Sequence, residues 1–163
     1  MEHRLREAVD VPVFHDDEHG TAVVVLSALA IALRVTGKTL DDVRIVLSGA
    51  GAAGTAIVRL LQAAASPQIA VYDSHGVLHP GREDISGEKR WLAEHTQPSS
   101  HETELGKALD GADVFIGVSA AGLLQEQDVA RMADGAIGLR ASPAAEGQVV
   151  MIRVGTSGWS YDH

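Results

Sequence analysis

Residues 45–54, IVLSGAGAAG, run from an apolar, β-branched stretch straight into Gly49-x-Gly51-x-x-Gly54, and a helix-like stretch follows. This pattern is built to hold a pyrophosphate. The first glycine turns the chain sharply out of a strand, the second clears space for phosphate oxygens, and the third lets helix and strand pack closely. The helix start then offers unpaired backbone N–H groups and a partial positive charge to an anion. A second apolar run, IAVYD at 69–73, ends in Asp73, about 20 residues beyond the motif, where a carboxylate can accept hydrogen bonds from ribose hydroxyls. Together they point to a dinucleotide-binding unit rather than a plain strand–helix–strand with a glycine-rich turn.

A second constellation, His15-Asp16-Asp17-Glu18-His19, stands just before another apolar stretch. Two readings stay open on the residues alone. Aspartates at a helix start cap free N–H groups and complement the dipole. The same carboxylates suit a hard divalent cation such as Mg²⁺ or Mn²⁺, whose remaining positions substrate, water or distant residues must fill. His15 and His19 stand four apart and lack a third nearby ligand for zinc.

The elements that must position these groups follow from periodicity. Asp16 and Asp17 precede TAVVVLSALAIALRV, which is apolar nearly all round, as a helix sandwiched between layers is. Gly37 ends that helix as a C-cap, with Lys38 beside its negative end. A strand at 43–48, a helix at 52–65 and a strand at 69–73 come next, with Pro67 in the link. Residues 74–104 read as a long polar excursion with one short helix near 88–95. A helix at about 102–109, a strand at 113–117, a helix at about 125–133 and a weak apolar run at 136–139 complete the pattern. This order predicts an α/β fold, a Rossmann-like doubly wound, mostly parallel sheet with flanking helices, as a single incomplete domain. The predicted organisation is a 1–19 segment carrying the carboxylates, a 20–140 nucleotide-binding domain and a divergent 141–163 tail.

Bulk properties narrow the function classes. The chain has 163 residues, enough for one real core, with 45% hydrophobic but only 4% aromatic residues, so burial rests on Val, Leu, Ile and Ala. A net charge of −9 argues against nucleic acid or anionic membranes as partners, though not against a local anion site made of backbone dipoles. The absence of cysteine excludes disulfides and thiolate metal sites and is compatible with a cytoplasmic location. The charged N-terminus is no signal peptide, and the run from Ala22 to Leu33 is too short to span a bilayer. Among single residues, Tyr72 reads as packing and Trp91 as a cover for the sheet. His79, His95 and His101 read as solvated, and Trp159 and Tyr161 as exposed apolar side chains.

With these motifs in hand, the chain resembles the NAD(P)-binding half of bacterial malic enzymes. The likeness is carried by VPVFHDDEHGTAVVVLSALAIALRVTGKTLDDVRIVLSGAGAAGTAIVRLL, by YDSHGVLHPGRED and by LGKALDGADVFIGVSAAGLL. It covers roughly residues 8–135, and PVFHDD-x-HGTA followed by GAGAAG is its most specific part. A dehydrogenase sharing only the glycine loop has no need of PVFHDDEHGTA. The resemblance implies oxidative decarboxylation of malate to pyruvate and CO₂ with reduction of NAD or NADP. It implies Asp17 as ligand to Mg²⁺ or Mn²⁺, with Asp16 beside it orienting the catalytic network. Gly49, Ala50, Gly51, Ala52, Ala53 and Gly54, with Asp73 and Ser74, would hold the dinucleotide. Val118, Ser119 and Ala120 would lie near the nicotinamide. A negative Asp73 repels a 2′-phosphate and so favours NAD over NADP, a preference His75 or Arg82 could soften.

Departures from the family pattern set further expectations. Glu18 replaces the usual Gln, Ala121 the usual Pro, and Ser142 stands where the family places an Asn. The family's Tyr, Lys and Glu-Asp elements lie upstream of HDD, and this sequence starts about ten residues before that motif. The chain alone is therefore expected to bind a dinucleotide weakly without turning over malate. It is expected either to form a homo-oligomer or to associate with an intact malic enzyme. Without neighbouring domains, the sheet edge or the 21–35 helix would expose apolar surface and favour aggregation. The ending VMIRVGTSGWSYDH is similar instead to the opening of an unrelated family, which suggests a rearranged gene; the alternative is a short edge strand with a frayed terminus.

Overall fold

The computed structural model describes residues 19–98, 102–119, 124–144 and 147–154. Asp16, Asp17, His101, Ala120, Trp159 and Tyr161 lie outside the described residues. A single mixed sheet runs in the order β3-β2-β1-β4-β5-β6, comprising β1 (Arg44–Ser48), β2 (Gln68–Asp73), β3 (Gly76–Val77), β4 (Val114–Gly117), β5 (Ile137–Ala144) and β6 (Gly147–Val154). The four inner strands are parallel, with Ile45 opposite Ile69 on one side and Val114 on the other, and Val114 opposite Ile137. Strand alternation sorts the core into two layers. Ile45, Leu47, Ile69, Val71, Val114, Ile116, Ile137 and Leu139 meet α1 (Thr21–Thr36), α2 (Ala52–Ala64) and α3 (Gly87–His95). Val46, Ala70 and Tyr72 face the opposite layer, covered by α4 (Leu105–Ala108) and α5 (Glu126–Val129). The doubly wound Rossmann-like architecture expected from the sequence is what forms.

Several elements differ from expectation, each for a local reason. The helix expected at 102–109 is the single turn α4, because Gly111 takes φ +68 and swings the chain into β4. That turn brings the Asp113 carboxylate to the Arg44 amide at 2.9 Å and to Lys38 Nζ at 2.6 Å. The helix expected at 125–133 opens with a Gln125–Asp128 capping box but stops at Val129, since Arg131 and Met132 donate only to carbonyls three residues back. One edge strand went unread: β3, a two-residue return that starts at Gly76 with φ +111. The other edge is β6, antiparallel to β5. Residues 147–154 form an edge strand, and the weak run at 136–139 lengthens into β5.

The α1 helix ends as expected, with Gly37 at φ +71 and its N–H donated to Leu33 O. It is not sandwiched, however. One side is buried through Ala22, Val25, Leu29 and Leu33, while Val23, Val24, Ile31 and Val35 stand exposed on the other. No helix among the described residues is long and apolar enough to cross a membrane. His95, read as solvated, stays exposed but stacks on Trp91 with ring centroids 4.4 Å apart, because residues four apart share a helix face. Trp91 packs against the core as expected and carries the Arg59 guanidinium 4.6 Å above its ring.

Candidate functional site

The C-terminal ends of β1, β2 and β4 open onto a cleft of about 770 Å³. Its floor is the glycine turn. Gly49 adopts φ +123, which side-chain-bearing residues rarely take, and donates its N–H to Tyr72 O at 2.9 Å, so the turn is pinned to β2. A Cβ on Gly54 would fall 1.9 Å from the Gly49 carbonyl oxygen, so α2 approaches the strand end more closely than any alanine allows. Gly51 differs: a Cβ there meets nothing within 4 Å and projects from a residue that lines the cleft. Gly51 is also the N-cap of α2, no side chain caps the helix, and its first turn-closing bond is Thr55 N to Gly51 O at 2.9 Å. The three glycines are thus set apart by geometry: a positive φ at Gly49, open space at Gly51 and a close backbone approach at Gly54.

Of the other sequence-derived site residues, Ala50, Asp73, Ser74, Val118 and Ser119 line the same cleft. Ala52, Ala53 and Gly54 form the first turn of α2 behind it. Reasoning from the sequence missed Ser48, Lys89 and Thr103, all of which line the cleft. Ser48 is the last residue of the strand that delivers Gly49, and its partner Ser119 lies 71 positions away. Lys89 gives no local signal and arrives only because α3 folds back over the end of β2.

Asp73 was expected to wait open for ribose hydroxyls. Instead its side chain is only 5% exposed and fully engaged. Arg82 Nη1 donates to Oδ1 at 2.9 Å, Lys89 Nζ to Oδ2 at 2.7 Å and the His75 amide to Oδ1 at 2.8 Å. Arg82 in turn bridges to exposed Asp84, whose carboxyl it pulls down to about 2. Burial pushes the Asp73 carboxyl up, but the hydrogen bonds from Arg82, Lys89 and His75 outweigh it and hold the group well below the ordinary carboxylate range. A depressed folded value gives stabilisation that is complete above the unfolded value near pH ~4 and drains away as pH falls through the folded one. Urea midpoints of the wild type should therefore fall with acidification below about pH 4. Asp73→Asn should start lower at neutral pH and show a shallower acid limb; parallel limbs would contradict the assignment.

Tyr72 is packing, as expected. Its hydroxyl donates to Glu102 O at 2.8 Å, and burial, then the nearby Glu102 charge, push its phenol up to about 12. Among the described residues no three His, Asp or Glu side chains gather to hold a metal.

A family model described as "Malic enzyme, NAD binding domain" matches residues 19–137. The chain belongs to this family. The malic enzyme NAD-binding domain it represents is 46% identical over 135 residues to an NAD-dependent malic enzyme of Geobacillus stearothermophilus, covering 82% of this chain and 28% of that one. It is 44% identical over 136 residues to an NADP-dependent malic enzyme of Halomonas elongata, covering 82% and 31%. The solved NAD-dependent malic enzyme of Thermotoga maritima superposes with a TM-score of 0.78 at 37% identity, covering 84% of this chain and 37% of that one. This malic enzyme NAD-binding domain thus spans about a third of the length of the relatives it matches.

Proposed function

We propose that this chain is the dinucleotide-holding portion of a malic enzyme, acting in the oxidative decarboxylation of malate to pyruvate and CO₂. The observation that carries the reading is the cleft itself, where Gly51 leaves open the space that phosphates need and Gly54 permits the helix approach. Bound NAD or NADP supplies the hydride acceptor for the reaction. The chain's own share is to bind and orient. Gly49, Ala50 and Gly51 face the pyrophosphate, with the Ala52, Ala53 and Gly54 amides donating from the helix start. Asp73 and Ser74 hold the adenosine side, and Val118, Ser119 and Ala120 the nicotinamide side. Asp17 would serve as ligand to Mg²⁺ or Mn²⁺ with Asp16 beside it, a role supported by the suitability of carboxylate donors for those ions. One or two acids leave the other coordination positions to substrate, water or further parts of a malic enzyme.

Cofactor choice turns on the Asp73 network. Arg82 and Lys89 already balance the carboxylate charge, so the repulsion of a 2′-phosphate expected from Asp73 is weakened. Lys89, 40% exposed and lining the cleft, can exchange Asp73 for a phosphate. The relatives, named NAD-dependent in some cases and NADP-dependent in others, accord with a site that admits both. Lys89→Ala should weaken NADPH binding about tenfold relative to NADH, the scale of one lost charge-assisted hydrogen bond. Equal weakening of both, or of neither, would remove Lys89 from the selection.

The chain spans less than a third of the length of these malic enzymes, and its share in our reading is to bind dinucleotide without turning over malate by itself. Purified chain with malate, Mn²⁺ and either NAD or NADP should form no reduced cofactor above the rate without enzyme. Robust turnover would overturn that reading.

A second reading rests on the exposed α1 face: a nucleotide-binding module that joins an intact malic enzyme or a further copy of itself. Val23, Val24, Ile31 and Val35 give it an apolar stripe to bury. Size exclusion with and without a full-length malic enzyme discriminates, since a chain that never co-elutes and stays monomeric has no such role.

A further inference from the structure

Ser48 carries one of the few buried polar side chains among the described residues. It is 4% exposed, closes β1, and shares a hydrogen bond of 2.9 Å with the hydroxyl of Ser119 beyond the end of β4. Two further contacts join the same segments. The Val118 amide donates to Ser48 O at 2.9 Å, and Val118 Cγ2 lies 2.8 Å from where a Cβ on Gly49 would stand. The turn after β4 is therefore fastened to the root of the glycine turn by backbone, by packing and by one hydroxyl pair.

The position of that pair matters because β1 lies between β2 and β4 in the sheet. The connections leave β1 for β2 on one side and come back to β4 on the other, so the crevice for a dinucleotide opens between β1 and β4. On the β2 side stand Asp73, Ser74 and His75; on the β4 side stand Val118 and Ser119. A molecule with two nucleoside halves spans both sides, whereas ADP engages only the glycine turn and one side. We propose that the Ser48–Ser119 hydroxyl pair is a latch that holds the β4 turn in register with the glycine turn and so positions the second half of the dinucleotide. Ser48 is then a positioning residue that favours a complete dinucleotide over a lone adenine nucleotide. This rests on the cofactor reading given above and adds to it a residue and a discrimination that the glycine motif does not supply.

The test compares NADH and ADP as probes in wild type, Ser48→Ala, Ser119→Ala, the double variant and Ser119→Thr. Losing one neutral hydrogen bond is expected to weaken NADH binding about fivefold in Ser48→Ala, while ADP binding shifts less than about twofold. Because both hydroxyls act as one unit, the double variant should bind NADH no more weakly than Ser119→Ala alone. Ser119→Thr, which keeps the hydroxyl, should restore NADH binding to within about twofold of wild type. NADH and ADP weakening together would reveal a general structural role and overturn the latch, as would additive losses or no change in Ser48→Ala. If wild type binds ADP and NADH normally while Ser48→Ala is unaffected, the latch alone fails. If folded wild type binds neither probe, the cofactor reading fails and takes the latch with it.

Discussion

Replacing Gly54 with alanine is expected to cost roughly 3 kcal/mol or more of folding stability. The added Cβ would lie 1.9 Å from the Gly49 carbonyl oxygen, 3.0 Å from its carbon and 3.3 Å from Leu47 Cδ2. Two of those three atoms are backbone, so no rotamer change relieves the overlap. Either α2 lifts off β1, opening the core at Ile57, Val58 and Leu61, or the glycine turn rearranges. Domains of this kind have only about 5–15 kcal/mol in total, so the loss is a large share. Thermal melting followed by circular dichroism should show Tm lowered by roughly 6–12 °C, with dinucleotide binding weakened as a consequence. A Tm within about 2 °C of wild type would mean that helix and strand are not in the close approach described here.

Gly51→Val is expected to do the opposite: leave the fold nearly intact and abolish dinucleotide binding. Gly51 sits at φ −94 and ψ −165, an extended conformation open to any residue, and a Cβ there meets nothing within 4 Å. Valine is a poorer N-cap than glycine, a difference of about 1 kcal/mol, so Tm should fall by no more than about 4 °C. Its methyl groups enter the open space beside the α2 first turn, where phosphate oxygens must come within hydrogen-bonding distance of backbone amides. Affinity for NADH should fall about a hundredfold or more, since both the contacts and the access are lost. Calorimetric titration of the two proteins side by side decides the matter. Two glycines three residues apart in one motif thus fail by different routes, one through the core and one through the ligand.

Much of this organisation was legible in the sequence because the signals were local and periodic. The apolar run of β1, the break at Gly49 and the apolar face of α2 specify strand, turn and helix within about twenty residues. Gly37 marked the end of α1 by a conformation that glycine adopts cheaply. What escaped depended on long-range partners. Two-residue β3 has no periodicity to read and exists because Gly76 turns the chain back along β2. The shortness of α4 follows from where Gly111 must turn for Asp113 to reach Arg44 and Lys38, contacts some seventy positions apart in the chain.

The site shows the same division. Asp73 could be placed at the end of β2 from its run, but its burial beneath Arg82 and Lys89 depends on how residues 74–89 fold back. An acid that reads as a free acceptor is in fact the centre of an ion-pair network, and this alters the expected cofactor preference. Ser48 went unremarked because a lone serine before a glycine carries no signal until its partner across the sheet is known. The exposed side of α1 was misread as buried because hydrophobicity all round a helix does not say which neighbours cover it.

The most direct measurement is a fluorescence titration of NADH and NADPH with the purified chain, followed by displacement with ADP. Saturable binding of a single equivalent, competed by ADP and absent from Gly51→Val, is the outcome expected if the amides after β1 cradle a diphosphate. A chain that melts cooperatively yet shows no saturable signal at millimolar concentration, or a Gly51→Val variant that binds as wild type does, would contradict it.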